Sequence, residues 1–200
     1  MFQTNQLIIV GGPSAVGKTA FLNCMQQKQI SDLLNQIPVN NPQLYLYLDA
    51  VQLTGVRKSF VDRLVLHYDF IHQYSLQVGF SYLSDLINRS NSVFVLTLCA
   101  QSIILSNRIS SRLRRIIKTR PFGTQRIERL QKKKEMYDDQ EMLLGEFQRW
   151  LEYFEEYEIA SHMIIDSSKD YWSTWFRDTN EARNILASIL AGQKLTKQCS

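Results

Sequence analysis

Eight residues near the N-terminus, Gly12-Pro-Ser-Ala-Val-Gly17-Lys18-Thr19, constrain this chain more than any other stretch. The apolar run Leu7–Val10 leads into them, and a candidate helix over about 18–34 follows. Gly12 and Gly17 admit backbone angles closed to other residues and let the main chain come close to a ligand. Successive N–H groups then turn inward and meet a helix N-terminus, where unpaired donors and the helix dipole favour an anion. The spacing G-x-x-x-x-G-K-[ST] is met at every fixed position. It predicts a polyphosphate cradle built from Gly12, Pro13, Ser14, Ala15, Val16, Gly17, Lys18, Thr19 and Ala20. In it, Lys18 bridges the β- and γ-phosphates and the Thr19 hydroxyl ligates Mg²⁺.

Four further short apolar runs follow: Leu44–Leu48, Leu64–Leu66, Val93–Leu98 and Met163–Ile165. None alternates with polar residues, which suits strands covered on both faces. Between the runs lie amphipathic stretches that predict helices over about 74–89, 101–117, 124–158 and 172–191. The alternation predicts an α/β domain with a parallel sheet of five strands. The stretch 124–158 changes from basic (Arg126, Arg129, Lys132, Lys133, Lys134) to acidic (Glu146, Glu152, Glu155, Glu156, Glu158), so it is more than one simple helix. Its residues Leu143, Phe147, Trp150, Leu151 and Phe154 share one helix face. This predicts a helical insertion beside the sheet, with the break ahead of it at Thr119–Gly123.

Two hundred residues suffice for one domain with a substantial core, here 1–200 with a lid and helical insertion over about 101–158. Cys24, Cys99 and Cys199 are odd in number and far apart, which predicts reduced thiols in a cytoplasmic protein. No positive charge precedes the first apolar run, and that run is too short for a signal peptide or a membrane span. A net charge of +4 suits an anionic ligand and is too small to argue for nucleic acid.

In open α/β sheets, ligands bind beyond the carboxyl ends of the strands. Three apolar runs end at or near an aspartate: Asp49, Asp69 and Asp166. Asp69 is expected to be the metal-side acid, and Asp49 to orient or deprotonate an acceptor. Asp166, followed by two serines, is expected to cap a turn. His67 and His72 lack the spacing of a metal site, and His67 is expected to be structural. After the fourth run, Arg108, Arg112 and Arg115 fall on one helix face opposite Leu105, Ile109, Ile116 and Ile117. Stacked like charges repel unless an anion is near, and guanidinium groups match phosphate oxygens. Arg108 and Arg112 are therefore candidates to close on a γ-phosphate. Tyr45, Tyr47, Phe70, Tyr74, Phe80 and Tyr82 are candidates to line an acceptor pocket, or else core.

The chain resembles the P-loop kinases of nucleosides, nucleotides and other small metabolites. The likeness rests on GPSAVGKT (a Walker A motif) at 12–19, Asp49, Asp69, and the R-x-x-x-R of Arg108 and Arg112. It implies the three-layer P-loop NTPase fold with strand order 2-3-1-4-5. It also implies Mg²⁺-dependent transfer of the γ-phosphoryl group of ATP to a small-molecule acceptor. "HYDF" at 67–70 departs from the third-strand motif of deoxynucleoside kinases, and no Asn-Lys-x-Asp guanine signature occurs, so the acceptor stays open. Two alternatives stand beside this reading. One is a nucleotide-binding switch whose 143–154 face meets a partner. The other is a P-loop transferase resembling tRNA isopentenyltransferases, through GPSAVGKT and the DAVQ at 49–52, with Lys132–Lys134 toward RNA.

Overall fold

All five apolar runs contribute strands to one sheet: β1 (Gln3–Gly12), β2 (Leu46–Asp49), β3 (Phe60–Asp69), β4 (Ser90–Cys99) and β5 (His162–Asp166). The computed structural model describes residues 3–26, 46–49, 60–69, 83–119, 124–159, 162–168, 172–176 and 178–193. Several expectations lie outside these residues: the helical stretches 27–34 and 74–82, the break at 120–123, His72, Cys199, Tyr45, Phe70, Tyr74, Phe80 and Tyr82. The side chains of Tyr47 and Asp49 are outside them too.

The strands run in the order β2-β3-β1-β4-β5-β6, and the first five are mutually parallel. The expected order 2-3-1-4-5 is thus present, but among the described residues the sheet is not wholly parallel and has six strands. The sixth, β6 (Trp172–Trp175), pairs antiparallel with β5, Asp166 opposite Trp172 and Met163 opposite Trp175. A helix was expected over this segment. Trp-Ser-Thr-Trp instead alternates large and small side chains and is rich in residues that favour strands, and the helix starts only at Thr179. Asp178 caps it by accepting from the Glu181 amide at 2.8 Å.

Leu7, Ile8, Ile9 and Val10 are all fully buried. Consecutive strand residues point to opposite faces, so both faces of β1 are covered. Among the described residues the helices are α1 (Lys18–Gln26), α2 (83–88), α3 (Ser102–Thr119), α4 (Thr124–Asp138), α5 (Gln140–Glu155) and α6 (Thr179–Leu190). The stretch 124–158 divides at Asp139, whose carboxylate accepts from the Met142 amide at 3.0 Å and starts α5. Leu143, Phe147, Trp150, Leu151 and Phe154 are buried in the core. Each such side chain contributes about 1.5–3 kcal/mol on burial. The face considered as a partner surface is therefore interior. On α3, Leu105, Ile109 and Ile116 turn inward, whereas Ile117, expected with them, is exposed.

Parallel pairing aligns the strand ends. Gly12 sits opposite Asp69, Asp49 opposite His67, and Cys99 opposite Asp166. The phosphate-loop candidate, all three aspartates and the start of α3 therefore emerge along one rim, at the strand where the connections diverge to either side.

Candidate functional site

The loop after β1 is a turn with three left-handed residues, Gly12 at φ 154°, Ala15 at φ 66° and Gly17 at φ 105°. A Cβ on Gly12 would stand 2.7 Å from the Leu98 carbonyl oxygen, so the glycine is required by space as well as by angle. Lys18 opens α1, and its buried ammonium donates to the carbonyl oxygens of Gly12 (2.6 Å) and Pro13 (2.8 Å). Thr19 and Ala20 follow, exposed, in the first turn of the same helix.

Asp69, at the end of β3, reaches the loop. Its Oδ2 accepts from the Ser14 hydroxyl and pairs with the Lys133 ammonium at 3.2 Å. Lys133 also donates to Ser14 Oγ. Burial alone would raise the Asp69 carboxyl, but the ammonium groups of Lys18 and Lys133 and the Ser14 hydroxyl outweigh it and hold it down to about 2. Asp69 is thus a fixed anion at neutral pH. The Tyr137 hydroxyl donates to the Ser14 carbonyl at 2.9 Å and fastens α4 to the loop. Burial, then the Asp69 charge, push that phenol well above its ordinary range, so it stays a donor.

Arg108 approaches from α3, its Nη1 donating to the carbonyls of Ala15 (3.1 Å) and Val16 (3.2 Å). Beside it opens a cleft of ≈ 490 Å³ lined by Ala15, Ile104, Asn107, Arg108, Ser111, Arg112 and Arg115. The three arginines expected on one helix face therefore share this cleft with the loop. On the other side, Ser167 Oγ donates toward the Val16 carbonyl (2.5 Å) and the Cys99 carbonyl (3.1 Å), tying the loop to the end of β5.

Behind the loop, Trp150 of α5 packs on Gly11 and stacks on Tyr68, ring centroids 5.2 Å apart. Its indole N–H donates to Thr97 Oγ1 at 2.8 Å, and the Thr97 hydroxyl meets His162 Nε2 at 2.6 Å. One hydroxyl satisfies both contacts by accepting from the indole and donating to an unprotonated Nε2. Burial holds the His162 pKa down to about 3, which keeps the ring neutral.

Asp69, Lys18, Arg108 and Arg112 all stand around the loop. Asp49 ends β2 on the same rim, two strands from Gly12. Asp166 accepts from the Ser168 amide at 2.8 Å, the turn-capping role expected of it. Sequence reasoning missed Lys133, Tyr137, Ser167 and Trp150 as parts of the site. The run Lys132–Lys134 does not present one surface: Lys132 is exposed, Lys133 turns to the loop, and Lys134 pairs with Asp138 at 2.5 Å. The available signal was spacing. Leu130, Lys133 and Tyr137 fall at i, i+3 and i+7, which puts Lys133 on the inward face of α4.

The donor set fits a magnesium nucleotide, with an ionised carboxylate, a hydroxyl at a helix start and two lysines around one backbone loop. Magnesium commonly keeps waters and takes only one or two carboxylates besides phosphate oxygens. Among the described residues, no group of three or more His, Cys, Asp or Glu side chains forms a metal cage, and no helix is long and apolar enough to cross a membrane. Comparison with protein-family models and with curated protein sequences found no match to this chain.

Proposed function

We propose that this is a P-loop phosphotransferase that uses Mg·ATP to phosphorylate a small-molecule acceptor. One observation carries the reading: a left-handed glycine loop at the centre of the sheet rim, with the buried Lys18 ammonium folded onto it and the ionised Asp69 beside it. When bound, Mg·ATP supplies the transferable γ-phosphoryl group and neutralises part of its charge. The backbone N–H groups from Ser14 to Thr19 would bind and orient the phosphates, and Lys18, Arg108 and Arg112 would offset the charge that spreads over them. Thr19 and Asp69 would hold the metal. With a pKa of about 2, Asp69 is too weak a base to take a proton at neutral pH, which favours the metal-side role over general-base catalysis. Asp49, on the same rim, is assigned to the acceptor.

The test is acceptor-stimulated release of ADP. Purified protein with Mg·ATP is screened against small compounds bearing hydroxyl or phosphate groups. A kinase accelerates ADP formation with at least one and yields the phosphorylated product. Slow hydrolysis that no acceptor changes would replace this reading with that of a nucleotide switch.

A further inference from the structure

Lys133 is an unusual residue to find at this loop. It comes from α4, more than a hundred positions beyond the glycine motif, and its side chain is only 12% exposed. Leu130 and Tyr137 anchor the helix on either side of it, and the Tyr137 bond to the Ser14 carbonyl fixes its height over the loop. The ammonium contacts Ser14 Oγ, within the loop itself, and Asp69 Oδ2.

Two ammonium groups therefore converge on one turn of backbone, Lys18 and Lys133, with Arg108 bound to the next two carbonyls, those of Ala15 and Val16. Like charges this close are unfavourable when withdrawn from water unless anions are present to offset them. Asp69 supplies one negative charge. A triphosphate chain would supply the rest.

We propose that Lys133 is a second phosphate-binding lysine, delivered to the loop by α4, and that its ligand is the terminal phosphate of a bound nucleoside triphosphate. This rests on the phosphate-loop reading above. Asp69 holds the ammonium in place beforehand. A divalent cation at Asp69 would weaken that carboxylate's hold on Lys133, and the ammonium, already against the loop at Ser14 Oγ, would be free to meet phosphate oxygens there. The loop N–H groups and the start of α1 are suited to the α- and β-phosphates, which would leave the terminal phosphate to side chains that reach the loop from outside, as Lys133 does. Lys133 therefore sets the preference for a triphosphate over a diphosphate.

The experiment is calorimetric titration of wild type, Lys133→Ala, Lys133→Gln and Lys133→Arg with Mg·ATP and with Mg·ADP. Loss of one charged phosphate contact is expected to weaken Mg·ATP about 10- to 100-fold in the Ala and Gln variants. Mg·ADP should change by less than about threefold, and Lys133→Arg should keep most of the ATP preference because it keeps the charge. Equal weakening of both nucleotides, or of neither, in Lys133→Ala and Lys133→Gln overturns the assignment and leaves Lys133 a structural ion pair with Asp69. If wild type takes up neither nucleotide, the phosphate-loop reading falls and this inference with it. Wild-type binding with an unaltered ATP-to-ADP ratio in the variants removes the inference alone.

Discussion

Trp150 and Gly11 are fitted to one another. A Cβ on the glycine would stand 2.8 Å from the indole Cε2 and 3.0 Å from Cη2, and closer still to Cζ2. The indole also sits on Tyr68 and meets Phe154 edge-on at 4.6 Å. This contact joins α5 to the strand that feeds the glycine loop, so the helical insertion is part of the platform under the candidate site.

Gly11→Ala is therefore expected to destabilise the protein by about 1–3 kcal/mol, the range for overpacking a well-filled core. Urea denaturation checks it through a lowered midpoint at unchanged slope. An unchanged midpoint would mean that Trp150 can move aside freely.

Ala15 makes the opposite case. It holds φ 66°, a conformation that costs a residue bearing a Cβ about 1–2 kcal/mol. Ala15→Gly removes that strain, against a conformational-entropy loss of about 0.5–1 kcal/mol. Thermal unfolding should show no loss of stability and a slight gain. Ala15→Val, β-branched, should be clearly less stable than wild type.

His162 gives the fold a pH dependence of known sign. Its pKa is held to about 3 in the folded protein, against 6.5 ordinarily. Below pH 6.5 the unfolded chain takes up a proton that the folded protein refuses until about pH 3, so stability falls on acidification through this window. The slope approaches about 1.4 kcal/mol per pH unit. His162→Gln should be less pH-sensitive than wild type between pH 6.5 and 4.5, read from unfolding midpoints. Parallel curves for the two proteins would contradict the burial argument. Asp69 acts later: its depressed pKa stabilises the fold above the ordinary carboxylate value, and that contribution is lost as pH falls toward 2.

Asp69→Asn tests the metal-side assignment. Magnesium should tighten ATP binding by wild type, and this gain should shrink about tenfold or more in the variant, comparable to losing one charged contact. Titrations with and without EDTA measure it. An undiminished magnesium effect would move the metal ligand elsewhere.

What the sequence made legible was local or imposed by parallel pairing. The loop is a run of adjacent residues whose spacing carries its own geometry, so Gly12, Gly17 and Lys18 could be placed from sequence. Asp69 could be placed because strands of a parallel sheet end on a common rim, and its register opposite Gly12 bears that out. Lys133 was hidden because the rotation of α4 is decided by where Leu130 and Tyr137 find apolar surroundings, and these come from distant segments. The left-handed Ala15 was hidden for another reason: its angle belongs to the closed loop, whose Ala15 and Val16 carbonyls Arg108 binds, and alanine carries no local signal for it. Residues 172–175 separate from the following helix because Asp178 and Glu181 have the spacing of a helix start, a local signal weaker than the amphipathic pattern that runs across both.

The central claim is that the main chain from Gly12 to Thr19 grips a polyphosphate. Calorimetry of wild type and Lys18→Ala with Mg·ATP tests it most directly. Wild type should show saturable one-to-one binding with a dissociation constant of about 1 μM to 1 mM, comparable to typical substrate affinities. Lys18→Ala should bind at least about tenfold more weakly, as expected for removal of a charged contact. No saturable uptake by wild type, or equal affinity in the two proteins, would contradict it.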